Sequence, residues 1–288
     1  MQFRWLNTAG FEIVLSDGSH LLVDPWLDSA AYHSVPVADI ERADYIVVSH
    51  IHPDHAEDVR RVQERFPDVR IFVPSLSAEP LTRWLNLDTS RLYKVGDGQE
   101  FRFDEVTIRA FAGRHTESDE GNYLEWEEGT GELTPESWGT LDLYQYLITD
   151  KDGTEFMVWA GTPSEDNAYA LAGLRPDLAA VHVSPKQDFS MLARVVNSMD
   201  PRILMPHHHD IWPWILERIP EEATQFPAEV QPVTPENVIE KMMPYVEQQL
   251  ADGGVTAEYF TPEHHEWYHY NSTTKTPEPG ACRTEAPL

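Results

Sequence analysis

Cysteine and lysine are nearly missing from this chain. Cys282 is the single thiol in 288 residues, so no disulfide forms within the chain and thiolate metal ligation is not expected. Lysine occurs only at Lys94, Lys151, Lys186, Lys241 and Lys275, and 49 acidic against 21 basic residues leave a net charge of −28. A surface of that sign repels phosphate backbones and anionic lipid, so neither nucleic acid nor membrane is expected as a partner. It also suits a high-salt cytoplasm, where screening relieves self-repulsion, or serves solubility alone. No stretch approaches the ~20 apolar residues of a membrane span, and no basic-then-apolar leader opens the sequence. A cytoplasmic location is therefore expected. Internal repeats are absent as well.

What is present describes a globular protein: 41% hydrophobic and 11% aromatic residues are ordinary for a chain that buries a core. Its most informative stretch is His50-Ile51-His52-Pro53-Asp54-His55, four candidate metal ligands in six residues. Tyr45-Ile46-Val47-Val48 before it reads as a short buried strand, and Pro53 forces a turn after it. A turn at a strand end can aim several imidazoles and a carboxylate at one volume, as a transition metal requires.

That H-x-H-x-D-H pattern resembles the signature of the metallo-β-lactamase fold superfamily, and other stretches fall in the family's order. Thr8 to Ile13 followed by Leu21-Leu22-Val23-Asp24-Pro25-Trp26 resembles the opening hairpin of the branch that contains ascorbate-6-phosphate lactonases. His115, after Ile108 to Gly113, stands at the next ligand position; Trp159-Ala160-Gly161 resembles the strand end that carries a bridging ligand; Pro206-His207-His208 resembles the last motif. The resemblance spans roughly residues 2–210. It implies an α/β (α+β) protein, a four-layer αββα sandwich of two mixed β-sheets flanked by helices, as one domain over residues 1–270. Periodicity alone supports mixed α/β with hairpins. Residues 116–140, acidic and aromatic just after His115, are expected to form an insertion that is either a lid or a solvated loop. Residues 271–288, rich in Thr and Pro, are expected to be a disordered tail.

The resemblance further implies that His50, His52 and His115 bind one metal and that Asp54, His55 and His208 bind a second. Asp54, which would orient the nucleophile, and His208 are the expected catalytic residues. Zn2+, one or two per chain, suits this N/O set, with Mn2+ or Fe2+ chemically open. A metal-bound hydroxide would attack a small ester, lactone or phosphodiester. Asp24 would be the family's supporting carboxylate behind a ligand histidine, or simply a turn residue before Pro25. A small-molecule substrate is the expected partner, and a homo-oligomer stays open.

The sequence departs from the family at Thr162, a neutral residue where the bridging aspartate normally follows the glycine. Asp166 or Glu165 could replace it, although caps or surface charges are the plainer reading. The alternatives are therefore a mononuclear-iron oxidoreductase of the same fold, or a catalytically impaired metal-binding pseudoenzyme. In Pro206-His207-His208-His209-Asp210, strand alternation would turn His207 and His209 away from His208. His182, on an apolar strand, reads as a core histidine. His265-Glu266-Trp267-Tyr268-His269 matches the zinc-protease H-E-x-x-H pattern, but its surroundings read as strand and turn rather than the helix that motif needs.

Overall fold

A computed structural model describes residues 1–115 and 124–282. Strands β1 (Gln2–Asn7), β2 (Gly10–Val14), β3 (His20–Val23), β4 (Tyr45–Val47), β5 (Arg70–Pro74) and β6 (Leu92–Val95) belong to one sheet. A second sheet contains β7 (Glu100–Arg102), β8 (Val106–Ala112), β9 (Tyr144–Asp150), β10 (Glu155–Trp159), β11 (Leu178–His182), β12 (Ile203–His207) and β13 (Glu258–Tyr259). The chain then returns to the first sheet, where β14 (Tyr268–Asn271) pairs with β1 and with β15 (Thr276–Pro279). Each sheet joins an antiparallel part to a parallel one: β3 to β6 run parallel, as do β10 to β13.

Period-2 alternation sorts the side chains into layers. On β10, Phe156 and Val158 face the core between the sheets, while Met157 and Trp159 face the helices outside. On β4, Tyr45 and Val47 point inward and Ile46 outward. Both faces of the parallel strands are thus covered, which is why these runs read as continuously apolar. Helices α1 (Pro53–Ala56), α2 (Val59–Arg65) and α3 (Ala78–Leu85) contribute buried side chains to the outer layer on the first sheet. Beyond α4 (Pro135–Leu141), helices α5 (Glu165–Ala170), α6 (Phe189–Met199), α7 (Trp212–Arg218) and α8 (Val238–Asp252) cover the second. The result is the four-layer αββα sandwich that the resemblance implied. No helix among the described residues is long and apolar enough to cross a membrane.

One expectation requires correction. Residues 271–279 are not a disordered tail: Tyr268 to Asn271 pair in register with Thr276 to Pro279, extending the first sheet. Backbone pairing offsets the low hydrophobicity that suggested disorder; residues 283–288 lie outside the described residues. The long helix α8 carries no mark in the sequence reading because Pro244 sits inside it, and proline normally ends a helix. Val238, Met242, Val246 and Leu250 nevertheless keep one buried face at four-residue spacing.

Candidate metal centre

All the strands that matter for the site end at one rim of the sandwich, the usual ligand-binding edge of parallel sheets. After β4 the backbone runs through Ser49 and His50 to His52, which is extended (φ −63°, ψ 150°) and precedes Pro53 at the start of α1. Proline suits a first helical position because its missing N–H would have no partner there. Asp54 and His55 thereby fall in one helical turn. His115 follows β8. His208 follows β12 in a left-handed conformation (φ 70°), its N–H donating to the carbonyl of Thr8 at 3.0 Å. The opening hairpin therefore pins the last histidine.

These residues gather into two groups. Ligand atoms of His50, His52 and His115 lie within 4.8 Å of one another, and so do those of Asp54, His55 and His208. Around them, oxygen acceptors set the tautomers. Ser49 Oγ donates to Asp24 Oδ2 at 2.6 Å, so it accepts from His50 Nδ1 at 3.0 Å and leaves His50 Nε2 bare. The carbonyl of Glu136 accepts from His52 Nε2 at 2.8 Å, leaving Nδ1 bare. Asp24 Oδ2 accepts from His55 Nδ1 at 2.8 Å, leaving Nε2 bare. His50 Nε2 and His52 Nδ1 then stand 3.1 Å apart. Two lone pairs that close repel each other in isolation and suit a shared cation. Asp54 Oδ2 is 3.5 Å from both His55 Nε2 and His208 Nε2, too long for a strong hydrogen bond and reasonable for donors around one ion.

Electrostatics favour the same arrangement. Burial, then the neighbouring imidazoles, hold His50 well below its ordinary value and keep it neutral. Burial likewise lowers His52. At Asp54 burial pushes upward, but His55 and His208 outweigh it and keep the carboxylate ionised. At His55 the effect runs the other way: burial pushes downward, while Asp54 and Asp24 prevail and raise it, so a cation there competes with a proton for Nε2.

Asp24 stands behind His55 directly and behind His50 through Ser49. Fully buried, it also accepts from Ser49 N at 2.6 Å. His207 and His209 do turn away, though not by strand alternation: the left-handed residue His208 separates them. His207 is buried against the carbonyl of Trp159 at 3.0 Å, and burial depresses it to about 3. No carboxylate replaces the bridging aspartate among the described residues. Glu165 pairs with Arg194 and Asp166 is exposed. Gly161, at φ 101°, lets Thr162 N donate to Arg114 O at 2.8 Å; a Cβ there would lie 2.3 Å from that oxygen. The backbone at this position thus braces the segment bearing His115.

Of the 116–140 insertion, residues 116–123 lie outside the described residues. Of the rest, α4 packs against His52 as a brace. Besides the Glu136 carbonyl, Gly139 on α4 lies so close to His52 that a Cβ would sit 2.3 Å from its Cδ2. No sequence signal distinguishes this glycine from an ordinary helix residue. The H-E-x-x-H stretch makes no helix: His265 is left-handed and His269 lies on β14.

The profile of the beta-lactamase superfamily domain matches residues 19–209. The chain belongs to this family. A UPF0173 metal-dependent hydrolase from Methanobrevibacter smithii is 22% identical over 272 residues, covering 92% of this chain and all of that protein. Among solved structures, a metallo hydrolase from the archaeon Ignicoccus hospitalis superposes with TM-score 0.59 at 14% identity, covering 92% of this chain and 96% of its own. CmlA, a diiron beta-hydroxylase from Streptomyces venezuelae, superposes with TM-score 0.59 at 14% identity over 91% of this chain and 53% of its own. At such identities the structural likenesses speak for the fold.

Beside the two groups this superfamily member has a cavity of about 250 Å³. His50, His55, His115 and His208 line it, together with Ile211, Trp212 and Ile215. His182 lines it too, so it is buried but not merely a core histidine.

Proposed function

We propose that this chain is a metal-dependent hydrolase acting on a small ester, lactone or phosphodiester. His50, His52 and His115 would hold one divalent cation, and Asp54, His55 and His208 a second. The observation that carries this reading is the pair of bare nitrogens on His50 and His52 at 3.1 Å, repeated in kind by the convergence on Asp54. Zinc suits the imidazole-rich first group; the carboxylate in the second also admits manganese or iron.

Divalent ions supply a lowered pKa for coordinated water and polarisation of a substrate oxygen. The protein's own groups do the rest. Asp54, kept ionised, orients the attacking water and accepts its proton at a carboxylate oxygen. Asp24 holds His55 directly and His50 through Ser49. The cavity admits a substrate of limited size, and its apolar side excludes water from the reacting bond. With one thiol and a strongly acidic composition, the chain suits a cytoplasmic enzyme.

The neutral Thr162, where the family pattern has a bridging aspartate, favours a second reading, one-metal iron redox chemistry. Thr162 argues less for an impaired protein, because Asp54, His55 and His208 converge without it. Elemental mass spectrometry on protein purified without added metal, with turnover of p-nitrophenyl esters, γ-lactones and bis(p-nitrophenyl) phosphate, tests the choice. About two zinc or manganese ions per chain with turnover of one probe class is expected. A single iron with no hydrolysis would move the assignment to redox chemistry, and no metal under replete conditions would end both readings.

A further inference from the structure

The end of β11 brings a further imidazole to the cavity. His182 lies opposite His207 in the β11–β12 pairing and its ring centroid is 4.4 Å from that of His208. It belongs to neither group of converging ligand atoms among the described residues. Its neighbours determine which ring nitrogen carries the proton. Gln187 Oε1 accepts from Ser184 N at 3.1 Å, which fixes the amide so that Nε2 faces the carbonyls of Gly161 and His182 at 3.2 and 3.1 Å. That same NH2 lies 2.8 Å from His182 Nδ1.

Two nitrogens at that distance are compatible only with a donor meeting an acceptor. Because the amide must donate, Nδ1 must accept. The 3.1 Å from Nδ1 to Gly161 O is then an approach of two acceptors rather than a hydrogen bond, offset by the Gln187 NH2 within reach of both. The neutral ring therefore carries its proton on Nε2, the reverse of His55, whose Nδ1 donates to Asp24. A protonated Nε2 cannot ligate a metal; it can only donate. Lys186, the cationic side chain on the same wall, is engaged by Glu222 at 3.0 Å.

We propose that His182 is a catalytic hydrogen-bond donor that receives the substrate oxygen on which negative charge develops, in an ester, lactone or phosphoryl compound whose apolar substituent packs on Trp212 and Ile215. This rests on the hydrolase reading above. It gives the cavity a donor on His182, whose ring lies against Gly161, next in sequence to the position where the family pattern would have a carboxylate. A fixed donor aimed at developing charge in a low-dielectric cavity stabilises the transition state more than the ground state.

The test uses zinc-loaded full-length protein with 15N-labelled histidine, and inorganic phosphate as an oxyanion probe. Long-range 15N–1H spectra, with the His182 ring assigned by its loss in His182→Gln, should show protonated Nε2 and no metal ligation. Zinc content should be unchanged in His182→Ala and His182→Gln. Phosphate Kd should weaken about tenfold or more in His182→Ala and recover in part in His182→Gln, whose amide can still donate. In the probe reaction, kcat should fall with KM little changed. A ring protonated on Nδ1, zinc lost from His182→Ala, or phosphate binding indifferent to both substitutions would each overturn the proposal. Wild-type protein that hydrolyses no probe, yet shows protonated Nε2 and His182-dependent phosphate binding, would end the hydrolase reading while leaving the donor site standing.

Discussion

The two candidate ligand groups at the rim are built differently. His50, His52 and His115 are three imidazoles with no formal charge, steadied by a serine hydroxyl and a helix carbonyl. Asp54, His55 and His208 include a carboxylate, and His55 leans directly on buried Asp24. The first group can offer a cation only lone pairs; the second also offsets its charge. One group is braced by an insertion, the other by the sandwich itself, through Asp24 at the end of β3 and the Thr8 carbonyl that fixes His208. With a neutral residue at position 162, where the family pattern has a bridging carboxylate, the two positions should differ in affinity and in metal preference.

The largest break in that contrast comes from Asp54→Ala. Elemental analysis should fall from about two ions per chain to about one, and turnover of the responsive probe should drop on the order of 10³-fold. Equal loss of both ions would mean that the groups act as one site.

Asp24→Asn addresses what the groups share, because Asp24 reaches His55 directly and His50 through Ser49. Both affinities should weaken, by about 10- to 100-fold for a supporting group of this kind, with the larger effect on the second. Ser49→Ala should confine the loss to the first. Competition titration with a metal chelator reads both.

Gly139→Ala sharpens the comparison from the other side. In an ordinary helix this change stabilises by about 0.5–1 kcal/mol. Here the added methyl meets His52, so the expected result is the opposite sign: a lower melting temperature and weakened first-group affinity, with the second group retained.

The smallest effect concerns pH. Burial holds folded His207 at about 3, while an unfolded imidazole titrates near 6.5. Between those values the unfolded chain binds the extra proton, so His207 is without effect above pH 6.5 and opposes folding increasingly as pH falls toward the folded value. Metal-free His207→Asn, followed by thermal melts from pH 7 to 4, should show a stability slope shallower by up to about 1.4 kcal/mol per pH unit; an unchanged slope would contradict this.

Legibility in the sequence followed the distance over which each feature is built. His50, His52, Asp54 and His55 are adjacent, and the proline among them reports its own turn. His115 and His208 could be named only through the family's order, since nothing in Gly113-Arg114-His115 marks a ligand by itself. Thr162 was visible as a departure, but not that Gly161 uses its backbone to brace the His115 segment. Gly139, Gln187 and the proton on His182 were invisible, because each role arises from atoms far away in the chain.

By itself the sequence determined the alternating strands, the turn after β4 and the imidazole-rich chemistry, because periodicity, proline geometry and ligand type are local properties. Only the tertiary structure decided that α4 braces His52, that residues 271–279 extend a sheet, and which nitrogen of His50, His52 and His55 is bare. A tautomer is set by whichever acceptor or donor the fold brings within hydrogen-bonding distance, and that distance is not encoded at any single position.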